Sequence, residues 1–155
     1  MKVQILILSL ILTCKIGLSQ NYNSLKGKTW ICTKVTSKMN LDKSNYLNQT
    51  LSLLSNGNFK FVKEYKAVSL KNEINGTYHI STVGQFTFPT SKLTTTMNGK
   101  TTTADCIYNE KGENFNTCML PCKINIINKN SFTVTYKGSK DSEIQEDIIL
   151  TYTLK

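Results

Sequence analysis

Arginine is absent: every one of the 19 basic residues in this 155-residue chain is lysine. The planar guanidinium fork with which proteins grip phosphates and base edges is therefore missing, and the lysines are scattered with no block of like charge. The formal net charge of +9 thus reads as a solubilising surface compatible with acidic neighbours, and nucleic acid is not expected as a partner. Histidine is nearly absent too, since His79 stands alone. A nucleophile–histidine–carboxylate triad would have to be built on it, yet the sequence singles out no nucleophile or acid to join it. Helical periodicity is the third absence. Beyond the first residues, no window carries apolar side chains at helical spacing for long enough to propose a helix.

What is present begins with a leader. Met1-Lys2, the apolar run Val3 to Leu12 and the small or polar residues after it follow the pattern of a secretory signal peptide, too short to span a bilayer stably. Small residues at Gly17 and Ser19 place the cut after Ser19, so residues 1–19 are the leader and 20–155 one exported domain. Removing Lys2 and Lys15 lowers the charge from +9 to +7. The alternative is a lipid anchor on Cys14, although Thr13 is a poor neighbour for one. Four cysteines remain, Cys32, Cys106, Cys118 and Cys122, and an even number in an oxidising compartment argues for two disulfides.

The rest reads as strands. Phe59, Phe61 and Tyr65 share one face of a period-two pattern, and Ile74, Tyr78 and Ile80 repeat it with His79 on the opposite, outer face. Phe86 and Phe88 extend the same pattern into a long strand in which Pro89 marks a bend or edge. Asn56-Gly57 and Asn98-Gly99 are the two strongest hairpin signals. Lys28 to Thr36, Gln49 to Leu54, Leu93 to Met97, Thr101 to Tyr108, Cys122 to Ile127, Phe132 to Lys137 and Ile148 to Leu154 complete the strand set. Residues 38–47 read as a connecting loop. Eight or nine short antiparallel strands with one apolar face each fit an all-β fold, a single up-and-down β-barrel that leaves no exposed edges. Trp30, the one tryptophan, beside Gly27 at the first strand's entry, fits a base plug or simply a core residue.

Gly27-Lys28-Thr29-Trp30, the hairpin Ser55 to Phe59 and Gly76-Thr77-Tyr78-His79-Ile80 together resemble the lipocalin-like domain proteins of bacterial envelopes, in the calycin superfamily, over residues 25–155. The resemblance implies an up-and-down barrel, closed at the Trp30 end and open at the other to one small hydrophobic molecule. The arginine that the family pairs with its tryptophan is missing here, so a lysine such as Lys155 would take its place. The resemblance further implies that the connection from Tyr108 to Pro121 returns to the closed end. All four cysteines would gather there, and of three pairings Cys32–Cys122 with Cys106–Cys118 is preferred.

Phe59, Phe61, Tyr65, Tyr78, Phe86, Phe88, Phe132 and Tyr136 are the candidate ligand-lining residues, or else they fill a solid core. No catalytic residue, cofactor or metal is assigned. Cys118 to Cys122 is one residue longer than the redox spacing, and Cys32 is too remote in sequence for a compact zinc site. Asp105, Glu110 and Glu113 read as a solvated turn rather than paired acids. The expectation is a monomeric, exported, non-enzymatic binder of a small hydrophobic ligand. The alternative is a protein–protein interaction module, such as an enzyme inhibitor, working through residues 38–47 and 110–117.

Overall fold

The computed structural model describes residues 20–37, 46–65, 69–106, 119–138 and 147–155. The leader, residues 1–19, and the loops proposed for partner contact lie outside them, apart from the strand backbone at positions 46 and 47. Nine strands are found among the described residues: β1 (Lys28–Thr36), β2 (Tyr46–Leu53), β3 (Asn58–Tyr65), β4 (Leu70–Ile80), β5 (Gln85–Met97), β6 (Lys100–Asp105), β7 (Cys122–Asn128), β8 (Ser131–Tyr136) and β9 (Ile148–Leu154). All their pairings are antiparallel, and β1 closes on β9 through Trp30↔Leu154 to Thr36↔Ile149. The fold is a closed eight-stranded up-and-down barrel with one extra strand.

An odd number of alternating strands would bring the last one parallel to the first, and the structure resolves this through β5. One edge of this long strand pairs with β4. The other edge is shared, with β7 opposite Gln85–Phe86 and β6 opposite Lys92–Met97. β6 and β7 therefore run in the same direction along one side of β5, as two pieces of a single barrel strand interrupted by residues 106–121. Nine strands occupy eight positions, and β9 meets β1 antiparallel. The insertion leaves from the barrel wall, where the Cys106 N–H continues the ladder to the Ser91 carbonyl at 2.9 Å. It does not leave from the closed end, as the resemblance implied.

Two further boundaries differ from the sequence reading. The long strand expected through Ile74 and Phe88 is broken at residues 81–84, where Ser81 and Gly84 make a turn held by Gly84 N–H to Ser81 O at 3.0 Å. Gln85 to Met97 then form one strand that continues through Pro89. Pro89 lies on β5 between the stretch paired with β7 and the stretch paired with β6. A bulge against β4 skips it as well. A residue without an N–H fits there because no ladder bond is required of it.

Both Asn-Gly turns form as expected. Asn98 and Gly99 both have positive φ, 49° and 78°, the pairing that matches the twist of the flanking strands. Opposite Ser91, Gly76 allows β5 to fold against β4, since a Cβ there would lie 1.9 Å from the Thr90 carbonyl oxygen. No helix among the described residues is long and apolar enough to cross a membrane.

Trp30 closes the base. Its ring is fully buried, meets Phe132 edge-on at 4.9 Å, and donates its indole N–H to the Leu25 carbonyl at 3.3 Å. Leu25 belongs to a short 3₁₀ turn, Tyr22–Leu25, laid across that end. Gly27, at φ 72°, hooks this turn to β2 through its N–H and the Leu53 carbonyl. Lys28 supplies a cation beside the tryptophan, with its ammonium 5.6 Å from the ring centre, and the Lys155 backbone N–H bonds to the neighbouring Thr29 carbonyl at 3.0 Å.

Candidate functional site

Strand register sorts the interior into rows. One row runs through Leu53, Phe59, Gly76 and Ser91 across β2 to β5, and the next above it through Trp30, Leu51, Phe61, Ile74 and Leu93 across β1 to β5. The next row is polar: Gln49, Lys63, Asn72 and Thr95 stand directly opposite one another on the same inward face. Tyr65, Leu70 and Met97 follow at the far end.

The eight aromatic residues picked from the sequence divide between these levels. Phe59, Tyr78, Phe86 and Phe88 interlock in the lower half, with ring separations of 4.9 Å for Phe59–Phe88, 4.4 Å for Phe86–Phe88 and 5.8 Å for Tyr78–Phe86, while Phe132 packs between Trp30 at 4.9 Å and Tyr152 at 5.3 Å. Tyr78 spends its hydroxyl on the Leu54 carbonyl at 3.0 Å. These five build the base of the core. Phe61, Tyr65 and Tyr136 stand higher, Phe61 buried and the other two half-buried. His79 is exposed on the outer face, as its parity requires.

Sequence reading missed the polar row. The signal was available in the alternation: Gln49 precedes the inward Leu51 and Leu53 by even steps, and Lys63 stands between the inward Phe61 and Tyr65. Gln49 is buried and donates to the Tyr152 hydroxyl at 2.9 Å. Thr95 donates to the Asn72 side-chain carbonyl at 3.1 Å, and the Lys63 ammonium lies 5.3 Å from the Tyr65 ring centre.

The thiols join this upper interior. Cys32 and Cys122 are both buried and both keep their thiols, so the expected bridge between them is not formed. They are not gathered at the base either. Cys32 pairs with Tyr152 in the wall, and the Cys122 side chain is hydrogen-bonded to Tyr136. The physical reason lies in the interrupted strand, which brings Cys122 into register opposite Phe86 as an ordinary inward wall residue. Cys106 is not one of these thiols. Its proposed partner, Cys118, lies outside the described residues.

Burial pushes the Cys122 thiol up to about 12, with Tyr136 partly opposing the shift. Burial likewise raises Tyr136 and Tyr152, and the neighbouring thiols add to both shifts. All three stay protonated and neutral near neutral pH. A thiol of that kind is a poor nucleophile. The cluster thus offers neutral, protonated hydrogen-bonding groups within the buried interior. Among the described residues, no three metal-ligating side chains come together.

Outside the barrel, a trough of about 840 Å³ crosses β1 to β5, lined by Thr29, Ser52, Lys60, Thr77, Thr90 and Lys92 among others. A recess of about 550 Å³ lies at the base beside the β7–β8 turn. Compared with models of protein families, with curated proteins and with solved structures, the chain matches none of them.

Proposed function

We propose that this is an exported, non-enzymatic, lipocalin-like barrel that holds one small, largely apolar molecule in its upper interior. The polar row Gln49, Lys63, Asn72 and Thr95, one level above the apolar row that ends the packed base, carries this reading. A ligand gains by burying apolar surface against Phe61, Ile74 and Leu93, while the polar row selects which end points outward. Residues 1–19 act as the export leader, and in the oxidising compartment Cys106 pairs with Cys118, closing the inserted segment at its root.

Titration of the purified protein with the neutral fluorescent probe N-phenylnaphthylamine tests the proposal. One probe per barrel is expected, weakened when Phe61→Trp or Thr95→Trp fills the chamber and unaffected by Thr77→Trp on the outer face. Absence of saturable binding, or equal loss in all three variants, would refute it.

The outer trough favours a second use, as a surface for a protein partner. Its hydroxyls and amides surround Lys60 and Lys92, and Asp105 lies at its edge. Stoichiometric capture of a partner that Thr77→Trp abolishes and Phe61→Trp leaves intact would establish that use.

A further inference from the structure

The closed end combines two features not found together elsewhere among the described residues. Five large apolar side chains are exposed there and elsewhere on the surface: Leu54 at 44%, Val83 at 73%, Met97 at 50%, Ile127 at 55% and Leu154 at 40%. All but Met97 belong to the base. Leu54 opens the β2–β3 turn, Val83 caps the β4–β5 turn, and Leu154 ends β9 beside the β7–β8 turn. A register shift between Ile126 and Asn128 puts Ile127 in a bulge, a device that re-aims a side chain. Soluble surfaces tolerate single exposed apolar residues, but two in separate turns and two near strand ends gather four at one end of the barrel.

Lysines accompany that group. Lys26 and Lys28 flank Gly27, Lys129 sits in the β7–β8 turn, and Lys155 follows β9. The described carboxylate side chains, Glu64, Glu73, Asp105 and Asp147, all belong to the wall or the opposite end. Even with the α-carboxylate of Lys155 counted, the base carries a surplus of positive charge. The 550 Å³ recess lies within it, lined by Lys129, Asn130, Ser131, Thr153 and Lys155 among others, donors of the kind that a phosphate headgroup accepts from.

Chain continuity points the same way. Gln20 is fastened to this end, its side chain donating to Asn125 at 2.9 Å and accepting from the Ile126 N–H at 3.0 Å. The apolar run Val3 to Leu12 and Cys14 precede it in sequence, so before the leader is cut after Ser19, or where Cys14 carries a lipid instead, the membrane holds the chain at this end.

We propose that the closed base docks on the surface of an anionic phospholipid bilayer, Leu54, Val83, Ile127 and Leu154 entering the interface and the lysines meeting headgroup phosphates. The barrel then stands with its opposite end away from the membrane. This does not depend on the interior holding a ligand.

Flotation of the purified protein with phosphatidylcholine vesicles, with and without phosphatidylglycerol, tests it. Binding is expected only with phosphatidylglycerol, and to weaken as salt rises. Replacing Lys26, Lys129 and Lys155 by glutamine together should weaken it about 100-fold, each lysine near an anionic surface contributing about fivefold. Replacing Lys34, Lys92 and Lys100 instead removes the same charge from the wall and far end, and should leave most of the binding. An environment-sensitive dye attached at V83C should shift to the blue on vesicle addition, whereas the same dye at M97C should not. Failure to float, equal losses in the two lysine triples, a shift at Met97 only, or full competition by inorganic phosphate would each overturn the proposal.

Discussion

Replacing Trp30 by alanine should remove the keystone of the closed end, and the size of the loss follows from its contacts. Emptying a fully buried indole site costs about 3–5 kcal/mol through lost transfer energy and cavity. The edge-on contact with Phe132 at 4.9 Å adds about 0.5–1.5 kcal/mol. The Leu25 carbonyl, which accepts the indole N–H at 3.3 Å, loses its donor at a cost of about 1 kcal/mol. These contributions overlap, so the expected total is about 4–6 kcal/mol. Domains have only about 5–15 kcal/mol to lose, and Trp30→Ala should therefore be close to unfolding at room temperature. Far-UV circular dichroism against urea is the assay, since the substitution also removes the only tryptophan. With a slope of about 2 kcal/mol per molar urea, the midpoint should fall by about 2 M or more. Trp30→Phe keeps part of the volume and the edge contact but not the N–H, and should lose about 1–2 kcal/mol. A loss below about 1 kcal/mol for the alanine variant would show that the 3₁₀ turn and Phe132 close the base without it, and the reasoning would be wrong.

Gly76→Ala should cost more than about 2 kcal/mol in thermal unfolding, because its Cβ would fall 1.9 Å from the Thr90 oxygen and overpacking there requires backbone movement. Pro89→Ala should change stability by less than about 0.5 kcal/mol by the same measurement, since the position lies between the β7 and β6 pairings and gains no ladder bond. Cys32 and Cys122 should resist a thiol-specific chromogenic reagent in the native protein and both react after denaturation. The Cys122 thiol, raised by burial to about 12 from an ordinary value near 9, makes stability fall as pH rises between those values, because the unfolded chain releases its proton first. Urea midpoints measured across that window should fall less steeply for Cys122→Ala, and an unchanged slope would refute the assignment.

Much of the barrel was legible from local pattern. Period-two alternation in Phe59-x-Phe61 and Phe132-x-Val134-x-Tyr136 is a property of the extended chain itself, and Asn56-Gly57 and Asn98-Gly99 specify their turns by tolerance of positive φ. The outward place of His79 followed from parity alone. The turn at residues 81–84 escaped because Ile80 and Phe86 keep the same inward parity on either side of it, so alternation runs on across the break. Lys63 and Gln49 share the inward face with their apolar neighbours, and it was their charge or polarity that hid them from a search for apolar lining.

By itself the sequence determined the all-β class, the apolar inner faces, the hairpins and the tryptophan at the barrel's entry, because each depends on residues adjacent or nearly adjacent in the chain. Only the tertiary structure decided that nine strands fill eight positions, that Cys32 and Cys122 stay unbridged to one another as buried thiols, and that the polar row stands directly above the apolar one. Those outcomes depend on register between strands far apart in sequence, and register is settled only when the sheet closes and every inward side chain must find room in one shared core.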